Sequence, residues 1–179
     1  MNAGLESAEL PRFEAIVLPH LDAAYTLARY LMRNEHDAED VVQDACLRAL
    51  KHFGTFRGEE KTSARAWLLA IVRNTAYSSR QRGRGDALKT EFDERQHSAG
   101  VADDHPEAAL LRKADQESFD RALDLLAPEF REVIILREIE GLSYKEISDV
   151  AGVPVGTVMS RLSRARTRLQ TALRPEHDA

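Results

Sequence analysis

The 179-residue chain predicts an all-α protein made of two small helical domains joined by a flexible linker, the C-terminal one containing a helix-turn-helix. Three observations predict it. Apolar residues recur at helical rather than alternating spacing, and no Asn-Gly or Asp-Gly hairpin turn interrupts them. Gly83 to His105, with Gly83, Gly85, Gly100 and many charges, separates two apolar-periodic blocks as a tether would. Ser143 to Leu169 then carries start and stop signals at the spacing of two short helices. The expected organisation is a tail over 1–10, a first domain over 11–83, a linker over 84–106 and a second domain over 107–175.

Phe13 to Met32 is predicted as the first helix, with Pro19 bending or separating its first turns. Asp37 to Phe53 is the second, opened by His36-Asp37, where a carboxylate meets the positive end of the helix dipole. Ser63 to Arg82 is the third. Pro106 to Leu126 begins the second domain, Pro128 permits a break before a helix over Phe130 to Ile139, and Gly141 ends that helix. Ser143 and Glu146 form a capping box, so the next helix starts with its free amides satisfied. Ala151-Gly152-Val153 breaks it, and Pro154, with no amide hydrogen to lose, suits the first turn of the last helix.

Composition narrows the function classes. The 43% hydrophobic and 31% charged fractions suit a soluble globular protein. No apolar run spans a bilayer and no signal peptide precedes the first helix, so the cytoplasm is expected. Cys46 stands alone among the residue types that could form an internal disulfide or a cysteine-cluster zinc site. The histidines are scattered, so neither a metal, a cofactor nor a catalytic residue is expected, and the chain does not read as an enzyme. Its net charge of −5 argues against indiscriminate nucleic-acid binding. The distribution says more. Lys61 to Arg84 holds six basic residues and no acid, Val155 to Leu169 holds four and no acid, and Asp86 to Glu107 between them is acidic.

Three helix faces carry chemistry. On the last helix Val158, Leu162, Ala165 and Leu169 share one face, while Gly156, Thr157, Ser160, Ser163, Arg164, Thr167 and Arg168 share the other. Small polar groups and arginines without an acid suit a helix that enters a major groove and contacts bases and phosphates. The plainer alternative is a solvated amphipathic helix. The second helix sets an expected core stripe (Val42, Ala45, Cys46, Ala49, Leu50, Phe53) against Asp40, Gln43, Asp44, Leu47 and Lys51. Leu47 among carboxylates is placed as an apolar anchor would be in a protein-docking surface. A solvated face remains open, and Cys46 reads as a small buried hydrophobe. In the third helix Arg73, Asn74, Tyr77, Arg80 and Gln81 can project outward behind the loop Phe53 to Gly58. Such a set suits single-stranded DNA, with bases on rings and backbone on arginines; duplex backbone contact is the competing use. Trp67 reads as core rather than stacking platform, and Tyr77 is open between the two.

With both halves in view, the chain resembles the extracytoplasmic-function (ECF) sigma factors of bacterial RNA polymerase, in the sigma-70 superfamily. The segments that carry the resemblance are DAEDVVQDACLRAL (Asp37 to Leu50), ARAWLLAIVRNTAY (Ala64 to Tyr77) and REVIILREIEGLSYKEISDVAGVPVGTVMSRLSRAR (Arg131 to Arg166). The resemblance implies an alternative sigma factor serving a stress or envelope-type regulon. It implies that Asp37, Glu39, Asp40, Gln43, Asp44 and Leu47 dock on the polymerase β′ clamp helices. Phe56, Lys61, Thr62, Ser63, Arg65, Arg73, Asn74, Tyr77 and Arg80 would contact the −10 element and capture a flipped base, whose extrusion costs about a few kcal/mol. Gly156, Thr157, Ser160, Arg161, Arg164 and Arg168 would read a −35 element with a GGAA-like core. Many relatives carry Lys or Arg where this chain has Met159, so one phosphate contact is expected to be missing. Core RNA polymerase, promoter DNA and an anti-sigma factor are the implied partners, and the free chain is expected to be a monomer that does not insert into membranes. Whether its two domains pack together when free is left open.

Two other classes compete. GLSYKEIS…GTV also resembles response-regulator DNA-binding domains, but those usually accompany an α/β receiver, which this strand-poor N-terminal half does not suggest. A sigma-like decoy that only binds an anti-sigma factor would not need the intact basic face of the last helix.

Overall fold

The computed structural model describes residues 9–56, 61–86 and 106–174, and all its regular elements are helical. The N-terminal half contains α1 (Glu9–Val17), a 3-10 turn (Leu18–His20), α2 (Leu21–Met32), α3 (Glu35–His52), a second 3-10 turn (Phe53–Thr55) and α4 (Lys61–Asp86). The C-terminal half contains α5 (Pro106–Asp124), α6 (Pro128–Ile134) running into a π turn (Ile135–Ile139), α7 (Tyr144–Ala151) and α8 (Val155–Leu173).

Local chemistry accounts for most of the boundaries. Pro19 sits at the start of the 3-10 turn that divides the expected first helix into α1 and α2. Arg33 ends α2 in the left-handed region at φ 62°. The second helix starts earlier than His36-Asp37: Asn34 is its cap, its side-chain oxygen accepting from the Asp37 amide at 3.0 Å. Both halves of the Ser143–Glu146 capping box form, at 3.2 and 2.7 Å. Gly152 ends α7 at φ 65°, a conformation that favours glycine. One boundary differs from expectation on the other side. α4 continues through Gly83 and Gly85 to Asp86, into the range expected to be linker. A glycine costs a helix about 1 kcal/mol relative to alanine, which weakens but does not stop a helix already propagating from a packed segment. The remainder of the expected linker, 87–105, lies outside the described residues.

α2, α3 and α4 pack on one another, with α1 against α4. On α3 the buried stripe is Ala38, Val41, Ala45, Ala49 and the following Phe53, turned toward Val41 from the expected one; Val42, Cys46 and Leu50 are only half-buried. Phe13, Phe53, Phe56 and Trp67 form an aromatic knot at one end, with Phe53 edge-on to Phe13 at 5.3 Å and Phe56 4.7 Å from Trp67. In the C-terminal half α8 packs on α5, α6 and α7 through Val158, Leu162 and Ala165.

The halves also join. α7 packs on α4 and α6 on α2, so the buried side chains of both belong to one continuous cluster. Arg131 of α6 shows how tightly. Its guanidinium is buried and donates to the carbonyls of Leu123, Asp124 and Leu126 in its own half and of Tyr30 across the junction. Helix C-termini leave carbonyls without intrahelical partners, and Arg131 satisfies those of α5 and α2 together. Burial, and then the nearby Arg33 cation, pull its pKa down to about 10.

Candidate polymerase and nucleic-acid interfaces

The outward face of α3 is open. Asp37, Glu39, Asp40 and Gln43 are exposed, and Leu47 is 66% exposed in their midst. Asp44 is half-buried and pairs with Arg48 at 3.0 Å, while His36 lies 3.8 Å from Asp40. These are contacts one helical turn apart along the same helix, so the face stays acidic with an apolar centre.

The α4 face is occupied. Arg65 donates to the Glu140 carboxylate and to its backbone carbonyl. Arg73 Nε donates to Glu132 Oε2 at 2.9 Å, and its guanidinium lies over the Tyr77 ring at 4.4 Å. Tyr77 is half-buried with its hydroxyl close to Glu132; burial and that carboxylate push its ionisation far up. Arg80 donates to the Leu31 carbonyl at the end of α2. Asn74 is exposed, accepting from Arg73 at 3.3 Å, and Gln81 is exposed as well. Phe56, expected at the −10 surface, is a core residue instead, stacked on Phe53, because the loop folds its aromatics back onto Trp67. Lys61, Thr62 and Ser63 lie in the first turn of α4 with side chains outside the described residues, as do 57–60.

α8 divides as its pattern predicts. Gly156, Ser160, Ser163, Arg164, Thr167 and Arg168 are exposed, Thr157 is half-buried, and no acidic residue lies between Val155 and Leu173. Arg168 lies over the Phe130 ring at 4.6 Å. Met159 is 53% exposed among them. Arg161 departs from expectation. It turns inward within its own half, its Nη1 3.7 Å from Glu132 Oε1, because the buried carboxylate needs a cation and the α8 turn nearest α6 supplies it. Arg166 instead pairs with Glu138 at 2.6 Å.

Glu132 is therefore a residue that sequence reasoning passed over. It is fully buried, its two oxygens facing an arginine from each half of the molecule. Burial raises its pKa, against the pull of Arg73 and then Arg161. An acid heading the buried apolar run Val133 to Leu136 was the available signal: a buried carboxylate requires a cationic partner. Among the described residues no group of His, Cys, Asp and Glu is placed to hold a metal ion, and no helix is long and apolar enough to cross a membrane.

Comparison with known proteins places this architecture. Residues 16–85 match sigma-70 region 2, and residues 116–169 match sigma-70 region 4. The RNA polymerase sigma-H factor of Pseudomonas aeruginosa is 34% identical over 91% of this chain and 86% of its own length. The ECF RNA polymerase sigma-E factor of Escherichia coli is 35% identical over 78% of this chain and 75% of its own. This chain belongs to the ECF sigma factors. Another ECF relative, the sigma factor SigE of Mycolicibacterium smegmatis, is 36% identical over 94% of this chain, which spans 64% of that relative's length. Among solved structures, the sigma factor RpoE in complex with the anti-sigma factor NepR from Bartonella quintana superposes with a TM-score of 0.75 at 32% identity, over 93% of this chain and 99% of that one. CnrH in complex with the cytosolic domain of CnrY superposes at 0.62 with 30% identity, over 90% of this ECF chain and 86% of that one.

Proposed function

We propose that this ECF sigma factor binds core RNA polymerase, recognises −35 and −10 promoter elements and promotes promoter melting, acting in the cytoplasm without covalent chemistry of its own. The observation that carries this reading is the pairing, on one chain, of an exposed acidic face centred on Leu47 with a capped helix-turn-helix whose outer face has no acid. In this reading residues 11–83 are the region 2 domain and residues 107–175 the region 4 domain. Asp37, Glu39, Asp40, Gln43, Asp44 and Leu47 dock on the polymerase clamp helices. Leu47 supplies the desolvated centre and the carboxylates the rim.

α8 reads the −35 duplex. Arg164 suits bidentate contact with a guanine edge, Gly156 and Ser160 let the backbone approach the groove, and Arg168 suits phosphate. Arg161 takes a positioning role, holding the N-terminal turns of α8 to α6 through Glu132. On α4, Arg73, Asn74, Tyr77 and Arg65 contact the opened −10 strand once the C-terminal half moves away; Phe56 supports that surface from within the core. Two solved relatives are complexes with an anti-sigma factor or with a cytosolic partner domain, and this chain superposes on them with TM-scores of 0.75 and 0.62. That likeness supports an anti-sigma partner for this chain.

Run-off transcription with purified core polymerase and sheared genomic DNA, with and without this protein, tests the proposal. New transcripts that share an upstream −35 and −10 pair are the expected outcome. Stable binding to core polymerase with no new transcript would favour a decoy, and no binding at all would overturn the reading.

A further inference from the structure

Two exposed apolar side chains stand in the face of α8 that is otherwise small, polar and basic. Val155 is 40% exposed and Met159 53%, and they lie one helical turn apart, so they form a single patch. One exposed apolar residue is ordinary on a protein surface; a pair at the start of an acid-free basic face needs a reason. The residues beside the patch leave room for a ligand. Gly156 weakens the helix, yet a Cβ there would meet nothing within 4 Å beyond its own turn of helix, so packing inside the chain does not call for a glycine. Its use lies outside, where it lets a second body approach the backbone next to Met159. Ser160 donates its hydroxyl to the Thr157 carbonyl at 3.0 Å and so presents lone pairs outward. Arg161 is turned toward Glu132. The first turns of α8 therefore show an apolar patch with an acceptor beside it, and the exposed arginines begin only at Arg164.

We infer that Met159, backed by Val155, reads the 5-methyl group of one thymine in the −35 duplex. This rests on the reading of α8 as the −35 helix. In the major groove thymine alone of the four bases presents a methyl group, and an apolar side chain is what recognises it. The residues of a recognition helix that reach base edges are those nearest its N-terminus, which is where the patch stands. Guanine, the usual target of a basic helix, offers the acceptors O6 and N7, and the patch has no donor to give them. Arg164, one turn beyond Ser160, has. The face is thus divided along its length: methyl contact from Val155 and Met159, guanine contact from Arg164, phosphate contact from Arg168. Met159 suits its part because an unbranched, polarizable side chain adapts its shape to what it covers. Its contribution also differs in kind from that of a lysine or arginine at the same place. A cation there would release counterions from the phosphates and weaken with salt, whereas a methyl contact releases none.

The test uses holoenzyme assembled from core polymerase and the full chain, with promoter fragments carrying the −35 element found by run-off transcription. Each thymidine of that element, on either strand, is replaced in turn by deoxyuridine, which deletes the methyl group and leaves the hydrogen-bonding edges as they were. Competition binding should reveal one position at which wild-type holoenzyme takes the uracil fragment about fourfold more weakly, the worth of one methyl-sized group withdrawn from water. Met159→Ala changes an exposed side chain and spares the core. It should erase that difference, binding the thymine and uracil fragments alike and both as weakly as the wild type binds uracil. A −35 element without thymine, or a uracil penalty that survives Met159→Ala, would overturn the inference. So would the absence of any uracil-sensitive position, and weaker assembly of Met159→Ala with core polymerase would then assign the patch to a protein contact. Arg164→Ala on the same fragments separates this inference from the reading beneath it. Weaker binding by Arg164→Ala with no methyl effect anywhere would sink the role of Met159 and keep α8 on the −35 duplex. Unchanged binding by both variants would withdraw α8 from that duplex, and the methyl contact with it.

Discussion

α3 and α4 lie side by side in the same half, both carry a charged outer face, and the structure treats them in opposite ways. The α3 face is exposed with a leucine at its centre and, among the described residues, same-helix contacts between its charges. The α4 face is folded against α7, and its Arg65 and Arg73 are paired with carboxylates contributed from far along the chain. The difference teaches that the chemistry of a face and its availability are separate properties. One follows from residue spacing along a helix. The other depends on which element arrives to cover it.

Substitutions can break this contrast or sharpen it. The largest effect on folding is expected from Arg131→Met, at the junction. It removes the buried guanidinium that donates to carbonyls at and just beyond the end of α5 and near the end of α2, and should cost about 3 kcal/mol of stability by chemical denaturation. A loss below about 1 kcal/mol would mean that the junction contributes little to the free protein. On the open face, Leu47→Asp should leave stability within about 0.5 kcal/mol while weakening core polymerase binding by about 2 kcal/mol, read by competition for the core enzyme. Normal assembly would remove the α3 face from the polymerase contact. Arg164→Ala occupies the middle ground, on an exposed face of the C-terminal half. It should cost about 1–2 kcal/mol in −35 duplex affinity and relax the preference at one base pair, with polymerase binding intact.

The smallest effect is spectroscopic. Burial first, and then the Asp120 carboxylate, hold the Tyr30 phenol protonated to about pH 12. Because its folded value is raised, the stability it contributes is complete below pH 10 and is lost as pH rises toward 12. Ultraviolet titration should therefore show Tyr30 ionising late, with the halves separating over the same interval. Tyr30→Phe should remove that late step, and a step unaffected by the substitution would assign it elsewhere.

Much of the molecule was legible in its sequence for identifiable reasons. The capping box, the Gly152 stop and the split of α8 into apolar and basic faces depend on neighbours within a few residues, so pattern alone predicts them. Leu47 was legible because an apolar side chain inside an acidic face contradicts the helical period. Where pattern failed, the deciding partner was distant. Phe56 was expected to face DNA and packs on Trp67 instead. Arg161 was assigned to the base-reading face, yet turns toward Glu132, 29 positions away in the chain. The start of α3 was missed by two residues because Asn34, a good cap, stood just ahead of an equally plausible acidic signal.

What the sequence determined by itself is an all-helical chain in two parts, its caps and turns, and three faces of distinct chemistry. These rest on helical periodicity and on hydrogen bonds between near neighbours, which any segment carries with it. Tertiary structure alone decided that the two parts share one core, that Arg131 ties the ends of two helices from different halves, and that Glu132 and Glu140 hold Arg73 and Arg65 of α4. A buried charge must find its counterion in space, and nothing in the spacing of residues along the chain says which distant helix will bring it.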